Sequence, residues 1–226
     1  MITFPGPASA LVVLPVAPDR DGIARVLSLE RFARESLAGV RATIPAFNRL
    51  LVEGAPGRWD PEEIMSTLET GARAALRAPP KTQAVAATAM VTLPVCYDPD
   101  LAPDLEQVAV RAEMSPDDVA RLHSAPTYLV LATGFAPGFA YLGDVDARIA
   151  TRRRLSPRAR VPRGAVGIAD RRTGVYPAEG PGGWCLVGRV PAALFEDAAE
   201  RIARFTPGGT VEFRPVGRKD YEAECR

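Results

Sequence analysis

The chain has 226 residues, 47% of them hydrophobic, which is enough for one large soluble domain or two smaller ones. Its 28 basic and 27 acidic residues nearly cancel, so the overall charge gives no reason to expect a nucleic-acid or membrane partner. Three cysteines without C-x-x-C spacing predict neither a disulfide framework nor a zinc site, and they fit a reducing cytoplasm. The apolar run 8–17 is too short to span a bilayer, and we interpret it as a strand.

The first 95 residues carry the pattern of an α+β domain. Short Val- and Leu-rich runs predict strands, 3.6-residue apolar spacing predicts helices, and Asp60 followed by Pro61 marks a helix start. This β-α-β-β-α-β order is the ferredoxin-like arrangement, which does not by itself specify a function. The predicted elements are strand 9–16, helix 23–37, strands 40–44 and 49–52, a helix from Asp60, and strand 85–95.

The remaining chain predicts a helical connector over residues 96–126 and a β-domain over residues 127–226. Asp104 and Ser115 each look like the start of a short helix, and the second of these helices ends near His123. Short strands joined by long shaped loops favour a small barrel or sandwich. The predicted elements beyond the connector are strands 127–133, 184–190 and 210–214, with a short helix over 192–204.

The segment 132–191 is denser in glycine, proline, aromatic residues and arginine than its neighbours. Glycine permits positive φ or a close approach of the backbone to a ligand, and proline fixes φ. Loops built this way are irregular in path and rigid, and functional sites concentrate on such loops. We therefore expect the functional site here.

Few side chains in the chain are suited to acid–base chemistry. His123 is the only histidine, so it is a candidate for proton transfer, although a lone histidine at a helix end is more often a capping or packing residue. One histidine also excludes a multi-histidine metal site, and we predict no metal site. No G-x-x-x-x-G-K-[ST] motif is present, so no Walker-type ATP site can be assigned to this chain. The G-x-S-x-G nucleophile elbow is also absent from the sequence.

Arginines and tyrosines offer a second kind of chemistry. Planar guanidinium groups bind carboxylate or phosphate at two points, and we rank Arg158 first and Arg163 second among the arginines near the glycines. Tyr141 and Tyr176 can donate hydrogen bonds to a developing oxyanion, or they can simply pack as part of the wall. Trp184 is more typical of a core anchor than of a stacking platform.

Four motifs occur in order along this segment, and LHSAP at residues 122–126 precedes them. The motifs are GFAPGFAYLG at 134–143, PRARVPRGAVGIA at 157–169, TGVYP at 173–177 and PGGWCLVGRVP at 181–191. Together they resemble the family of the B subunit of 5-oxoprolinase, also called allophanate hydrolase subunit 1 or the KipI-type kinase inhibitor family, which forms half of a carboxyltransferase C/D-type module.

The resemblance implies a ferredoxin-like domain followed by a cyclophilin-like β-barrel. It also implies a homologous partner, the C subunit (allophanate hydrolase subunit 2-like), and a further A subunit, with which the chain cleaves 5-oxoproline to glutamate while ATP is hydrolysed. ATP is then a cofactor of the complex, and the chain alone is inactive. Two alternatives stay open: an inhibitor that binds a sensor histidine kinase, and a subunit for allophanate or urea-related amide hydrolysis.

The resemblance also implies site residues. In the predicted catalytic set, Arg158 binds charge, Tyr176 orients the substrate oxygen and His123 moves a proton. Arg163 and Cys185 depart from the family pattern, which commonly has alanine and glutamine at these positions. The predicted substrate-binding residues are Gly134, Phe135, Pro137, Gly138, Tyr141, Pro162, Gly164, Thr173, Gly174, Gly182, Gly183 and Trp184.

Overall fold

A computed structural model describes residues 1–57, 59–80, 90–197, 199–200 and 204–225. The chain divides into two compact units, Met1–Thr88 and Ala89–Arg226. Both combine helices with largely antiparallel strands, which confirms the predicted α+β class. Across the described ranges, every helix is too short or too polar to cross a bilayer.

The first unit is a four-stranded antiparallel sheet with two helices. The elements are β1 (Ile2–Gly6), β2 (Ser9–Val13), α1 (Arg20–Ser36), β3 (Val40–Ala46), β4 (Arg49–Gly54) and α2 (Pro61–Arg77). The strands run in the order β1-β2-β4-β3, and α1 contacts α2, β3 and β4. Alternate strand residues such as Val12 and Leu50 are buried, as are Val26 and Leu29 on one face of α1.

Helix α2 begins where the sequence predicts. The Asp60 carboxylate accepts hydrogen bonds from the N–H groups of Glu62 and Glu63 at 2.9 and 3.5 Å, and Pro61 occupies the first turn. At the other end, Arg25 Nη1 donates to the carbonyl oxygen of Ala75 at 2.6 Å. The two helices are therefore tied by a cation at the negative end of α2.

The predicted fourth strand of the N-terminal domain is wrong in its described part. Strand β5 (Val91–Val95) belongs to the second unit, where it pairs in parallel with β13 (Thr210–Pro215). Residues 81–89, which include the start of the predicted strand, lie outside the described residues. The sheet edge beside β2 is instead formed by β1, which the sequence analysis did not predict, and the described order is β-β-α-β-β-α.

The second unit holds a longer antiparallel run of strands. Its other elements are α3 (Leu105–Ala112), α4 (Pro116–Ser124), β6 (Thr127–Thr133), β7 (Ala140–Leu142), β8 (Arg158–Val161), β9 (Ala165–Ala169), β10 (Arg172–Val175), β11 (Gly180–Gly182), β12 (Cys185–Arg189) and α5 (Arg218–Glu224). The strand order is β6-β7-β10-β9-β12, with β13 bridging β6 and β5, while β8 and β11 form a separate ribbon. Of the helix predicted over 192–204, the structure describes a 3₁₀ turn, Ala192–Phe195, and helical residues at 199–200.

Two hydrophobic clusters form the core of this unit. The larger one combines strand residues such as Val130 and Phe213 with Val108 of α3 and Val119 of α4. The smaller one, which we call the aromatic core, is centred on Phe139. Helices α3 and α4, predicted as a connector, thus contribute directly to the main core.

Candidate functional site

His123 lies on α4 and is completely buried. Its Nδ1 and Nε2 atoms lie 2.8 Å from the Tyr97 hydroxyl and 2.7 Å from the Thr173 hydroxyl, and its ring stacks on Phe213. Burial lowers the pKa of the imidazole to about 3, so the ring is neutral at pH 7. This geometry favours the packing role that a lone histidine more often has, because the ring is closed off from solvent, and the proton-transfer role of His123 stays a prediction.

Arg158 is held by Asp104, the residue before α3. Both terminal nitrogens of Arg158 lie 2.8 Å from carboxylate oxygens of Asp104. Arg154 Nη1 lies 3.1 Å from the same carboxylate, which also accepts the Leu186 N–H at 2.6 Å. Burial acts to raise the pKa of Asp104, but these donors and both positive charges lower it overall. In this structure the fork of Arg158 is filled by Asp104 and links β8 to the start of α3, so the predicted anion binding by Arg158 would require this pair to open.

Tyr176 is part of the aromatic core and is only 3% exposed. Its ring packs edge-on against Phe139 and Phe135, at centroid distances of 5.6 and 6.2 Å, and Phe139 also packs against Trp184. Burial raises the pKa of the Tyr176 hydroxyl. The packing interpretation of Tyr176 and Trp184 fits this geometry, whereas orientation of a substrate oxygen by Tyr176 does not.

Other predicted substrate-binding residues are required by the fold. Gly164 has a φ of +80°, and a Cβ there would collide with the carbonyl oxygen of Val190. The buried Thr173 hydroxyl donates to the Gly167 carbonyl oxygen at 3.0 Å. Tyr141, Pro162 and Gly183 are half-buried. The predicted residues in close-packed positions are Gly164, Thr173, Gly174, Gly182 and Trp184.

Gly134, Phe135, Pro137 and Gly138 do lie together, on the loop between β6 and β7, where they border a cavity of about 380 Å³. Phe135 is 64% exposed and has a φ of +76°, which is uncommon outside glycine. The loop is closed by the Gly134 N–H donating to the Phe139 carbonyl oxygen at 3.1 Å. Within the described chain, the N–H groups of Phe135 and Gly138 have no acceptor, so they can donate to a ligand oxygen.

A larger cavity, of about 640 Å³, opens beside α3 and the segment that follows Ile149. We call it the arginine-lined cavity, because four arginines and no described Asp or Glu line it. The sequence analysis noted that this segment is rich in arginine but missed Gln107, Arg111 and Thr151, which only the fold brings close to it. The lining residues are Gln107, Arg111, Ala150, Thr151, Arg152, Arg153, Arg154, Leu155, Ser156 and Cys185.

Cys185 forms part of the wall of this cavity and is almost completely buried. Its thiol donates to the carbonyl oxygen of Arg152 at 3.7 Å. Burial raises the pKa of this thiol, so it is protonated at neutral pH and is not an activated nucleophile. The cavity therefore has the character of a binding site for an anion, not of a covalent catalytic site.

These features define a class of protein: a two-unit α+β chain whose second unit carries glycine-rich loops, an aromatic core and a basic cavity. The family model for the carboxyltransferase domain, subdomain C and D, matches residues 2–205. The chain belongs to this family, which confirms the resemblance found in the motifs.

Several similar proteins are named as the B subunit of 5-oxoprolinase. The chain is 45% identical to the one from Bacillus subtilis (strain 168) over 134 residues, which are 59% of this chain and 56% of that protein. It is 42% identical to the one from Escherichia coli O157:H7 over 125 residues, 55% of this chain and 57% of that protein. The matched region thus spans little more than half the length of these relatives.

Solved structures extend the similarity over almost the whole chain. A conserved uncharacterized protein from Pyrococcus horikoshii is 35% identical with a TM-score of 0.57, covering 98% of this chain and all of that one (100%). The K. lactis urea amidolyase has a TM-score of 0.76 at 18% identity, covering 98% of this chain and 15% of that one. The latter likeness shows a shared fold.

Proposed function

We propose that the chain is one component of an ATP-dependent amide hydrolase that converts 5-oxoproline to glutamate. The observation that carries this proposal is the 45% identity to the B subunit of 5-oxoprolinase from Bacillus subtilis over 134 residues. The proposal concerns the assembled enzyme, because the match spans 56% of that relative.

The loop between β6 and β7 is our proposed contact for the lactam. Opening the ring amide places negative charge on the carbonyl oxygen, and fixed N–H donors stabilise such charge without reorganising during the reaction. The positive φ values of Phe135 and Gly138 hold the loop in an unusual path that a ligand can exploit. The exposed Phe135 ring offers an apolar face for the carbons of the lactam ring.

The proposal includes partners and a cofactor. A homologous C subunit and a further A subunit complete the enzyme, ATP is used by the assembled complex, and the chain alone is inactive. The absence of a Walker-type motif in the sequence supports a nucleotide site that is not confined to this chain. The described cysteines are all free, which supports a cytoplasmic location.

We also propose the finer description of the fold, a ferredoxin-like unit followed by a cyclophilin-like barrel. The sheet order β1-β2-β4-β3 supports the first part, because β1 then occupies the place of the fourth ferredoxin-like strand. The antiparallel run of strands in the second unit supports the second part.

The test is ATP-dependent release of glutamate from 5-oxoproline by the tagged chain isolated with its companions from its own cells. We expect turnover in the complex and none from the chain purified alone. A complex that assembles with its companions and leaves 5-oxoproline untouched would contradict the substrate assignment. In that case, binding to a histidine kinase and activity on urea-derived amides become the assays to run.

A loop variant then tests the proposed contact. Phe135→Ala should lower kcat/KM for 5-oxoproline by about tenfold, since it removes apolar contact with the ligand while leaving the complex assembled. Val110→Ala is the matched control, because Val110 is an equally exposed apolar residue at 67%, on helix α3, and is not among the residues that line the cavity at this loop. Equal turnover in both variants would show that the loop does not contact the substrate.

A further inference from the structure

We propose that the arginine-lined cavity binds a phosphoryl group. The proposal concerns a different surface from the loop at Phe135 and does not depend on the identity of the amide substrate. At about 640 Å³ the cavity is within the size range of small-molecule sites, and it is large enough for a phosphorylated metabolite.

The charge of the cavity is largely uncompensated. Arg152 and Arg153 make no side-chain ion pair or hydrogen bond with any other described residue. Arg111 donates to a neutral group, the Thr151 hydroxyl, at 3.0 Å. Arg154 has a carboxylate partner, but it shares Asp104 with the guanidinium of Arg158. A ligand with two negative charges would therefore balance the excess positive charge of these arginines.

Two exposed arginines elsewhere in this unit show the contrasting arrangement, in which each guanidinium is paired with a carboxylate. Arg148 pairs with Asp146 at 2.7 Å, and Arg160 pairs with Glu179 at 2.6 Å. Such exposed pairs neutralise their own charge. In the cavity, by contrast, no described Asp or Glu is among the lining residues, and Arg111, Arg152 and Arg153 have no carboxylate partner, which leaves guanidinium groups available to bind an anion.

The backbone that carries these arginines is held in place. The Thr151 N–H donates to the Asp170 carbonyl oxygen at 3.2 Å, and the reverse bond, from the Asp170 N–H, measures 2.6 Å. The Arg154 N–H donates to the Gly183 carbonyl oxygen at 2.8 Å. A fixed backbone lowers the entropy that a ligand must remove on binding, so the cavity is a prepared site and not a loose loop.

The chemistry of the donors favours phosphate over carboxylate. A guanidinium fork matches two oxygens of either group, but a phosphate dianion offers a third oxygen and twice the charge. Arg111, Arg152 and Arg153 can approach three such oxygens, with Gln107 and Ser156 as neutral partners at the rim. The phosphoryl group can belong to a nucleotide or to an acyl phosphate, and both share this chemistry.

The test is calorimetric titration of the full chain with inorganic phosphate, ADP and acetyl phosphate at constant ionic strength. We expect saturable 1:1 binding for at least one probe, with sodium acetate at least tenfold weaker. Tighter binding of ADP would identify a nucleotide as the source, and tighter binding of acetyl phosphate would identify an acyl phosphate. Acetate that binds as tightly as every phosphoryl probe would overturn the proposal.

Paired variants separate a built site from net charge. Arg152→Ala with Arg153→Ala should weaken phosphoryl binding at least tenfold, because each removes one free guanidinium. The control double variant, Arg148→Ala with Arg160→Ala, removes the same charge from outside the cavity and should change binding less than twofold. All four side chains are exposed, and circular dichroism checks that each variant is folded. Equal weakening by both double variants, or no saturable binding at all, would overturn the proposal.

Discussion

At the scale of single residues, the contacts of His123 set its role. Both ring nitrogens are hydrogen-bonded to hydroxyl groups. His123→Ala therefore leaves a cavity and removes a hydrogen-bond partner from the hydroxyls of Tyr97 and Thr173. We expect the variant to lose about 3–4 kcal/mol of unfolding free energy in urea denaturation. Arg121→Ala, on the solvent side of α4, is the control and should cost less than about 0.5 kcal/mol. If the His123→Ala variant were as stable as the wild type but its complex had lost turnover, the result would instead support the predicted catalytic role of His123.

The same residue predicts a dependence of stability on pH. Its folded-state pKa of about 3 lies below the ordinary value of 6.5, so the unfolded chain binds a proton first as the pH falls. The stabilisation that this pKa difference provides is complete above pH 6.5 and is lost as the pH falls towards 3. The resulting loss of unfolding free energy is about 2 kcal/mol between pH 7 and 5. In His123→Gln this part of the pH dependence should vanish in denaturation curves measured at both pH values. Identical pH dependence in the two proteins would refute the assignment.

Asp104 is the second residue with a predicted structural effect. Asp104→Asn removes the charge that holds Arg158 and Arg154 and leaves two partly buried cations facing each other. We expect a loss of about 2–3 kcal/mol in thermal or urea unfolding. Glu179→Gln breaks the exposed pair with Arg160 and should cost less than about 0.5 kcal/mol. Similar losses in both variants would mean that Asp104 is no more than a surface ion pair.

At the scale of elements, backbone geometry decides which glycines can be replaced. Gly164→Ala combines a φ of +80° with a collision at the Val190 carbonyl oxygen, so we expect a loss of at least about 2 kcal/mol. Gly180→Ala is the control, since a Cβ at Gly180 meets nothing within 4 Å. The difference between the melting temperatures of the two variants is the measurement. A Gly164→Ala variant as stable as Gly180→Ala would contradict the backbone path described for this turn.

Elements with local signals could be predicted from the sequence. Helix α2 starts as predicted because its cap joins Asp60 to residues two and three positions later. The partner of a strand is a different matter, since alternation tells which faces are buried and not which strand lies alongside. Strand β5 was therefore placed in the wrong unit, and its partner β13 lies near the other end of the chain.

The same limit applied to the site. Composition identified the arginine-rich segment, but the sequence could not show that Asp104 fills the fork of Arg158, 54 positions later. Nor could it show that Arg111 of α3 meets Thr151 at the edge of the cavity. Composition predicts which chemistry is available, whereas the fold decides which arginines remain free.

At the scale of the whole molecule, two compact units predict two regions of hydrogen-exchange protection. Leu93 of β5 and Leu50 of β4 are both completely buried, one in each unit. Each leucine-to-alanine change should cost about 3 kcal/mol, because it opens a cavity in a packed core. The two variants differ in which strands then exchange faster.

Leu93→Ala should speed amide exchange in β13 and β6, because β13 pairs with β5 on one side and with β6 on the other. Exchange in β2 and β4 should stay at the wild-type rate. Leu50→Ala should give the reverse pattern, because Leu50 pairs with Val12 within the first unit. If Leu93→Ala accelerated exchange in β2 and β4 instead, residues 91–95 would belong to the N-terminal sheet after all, as their alternating sequence first indicated.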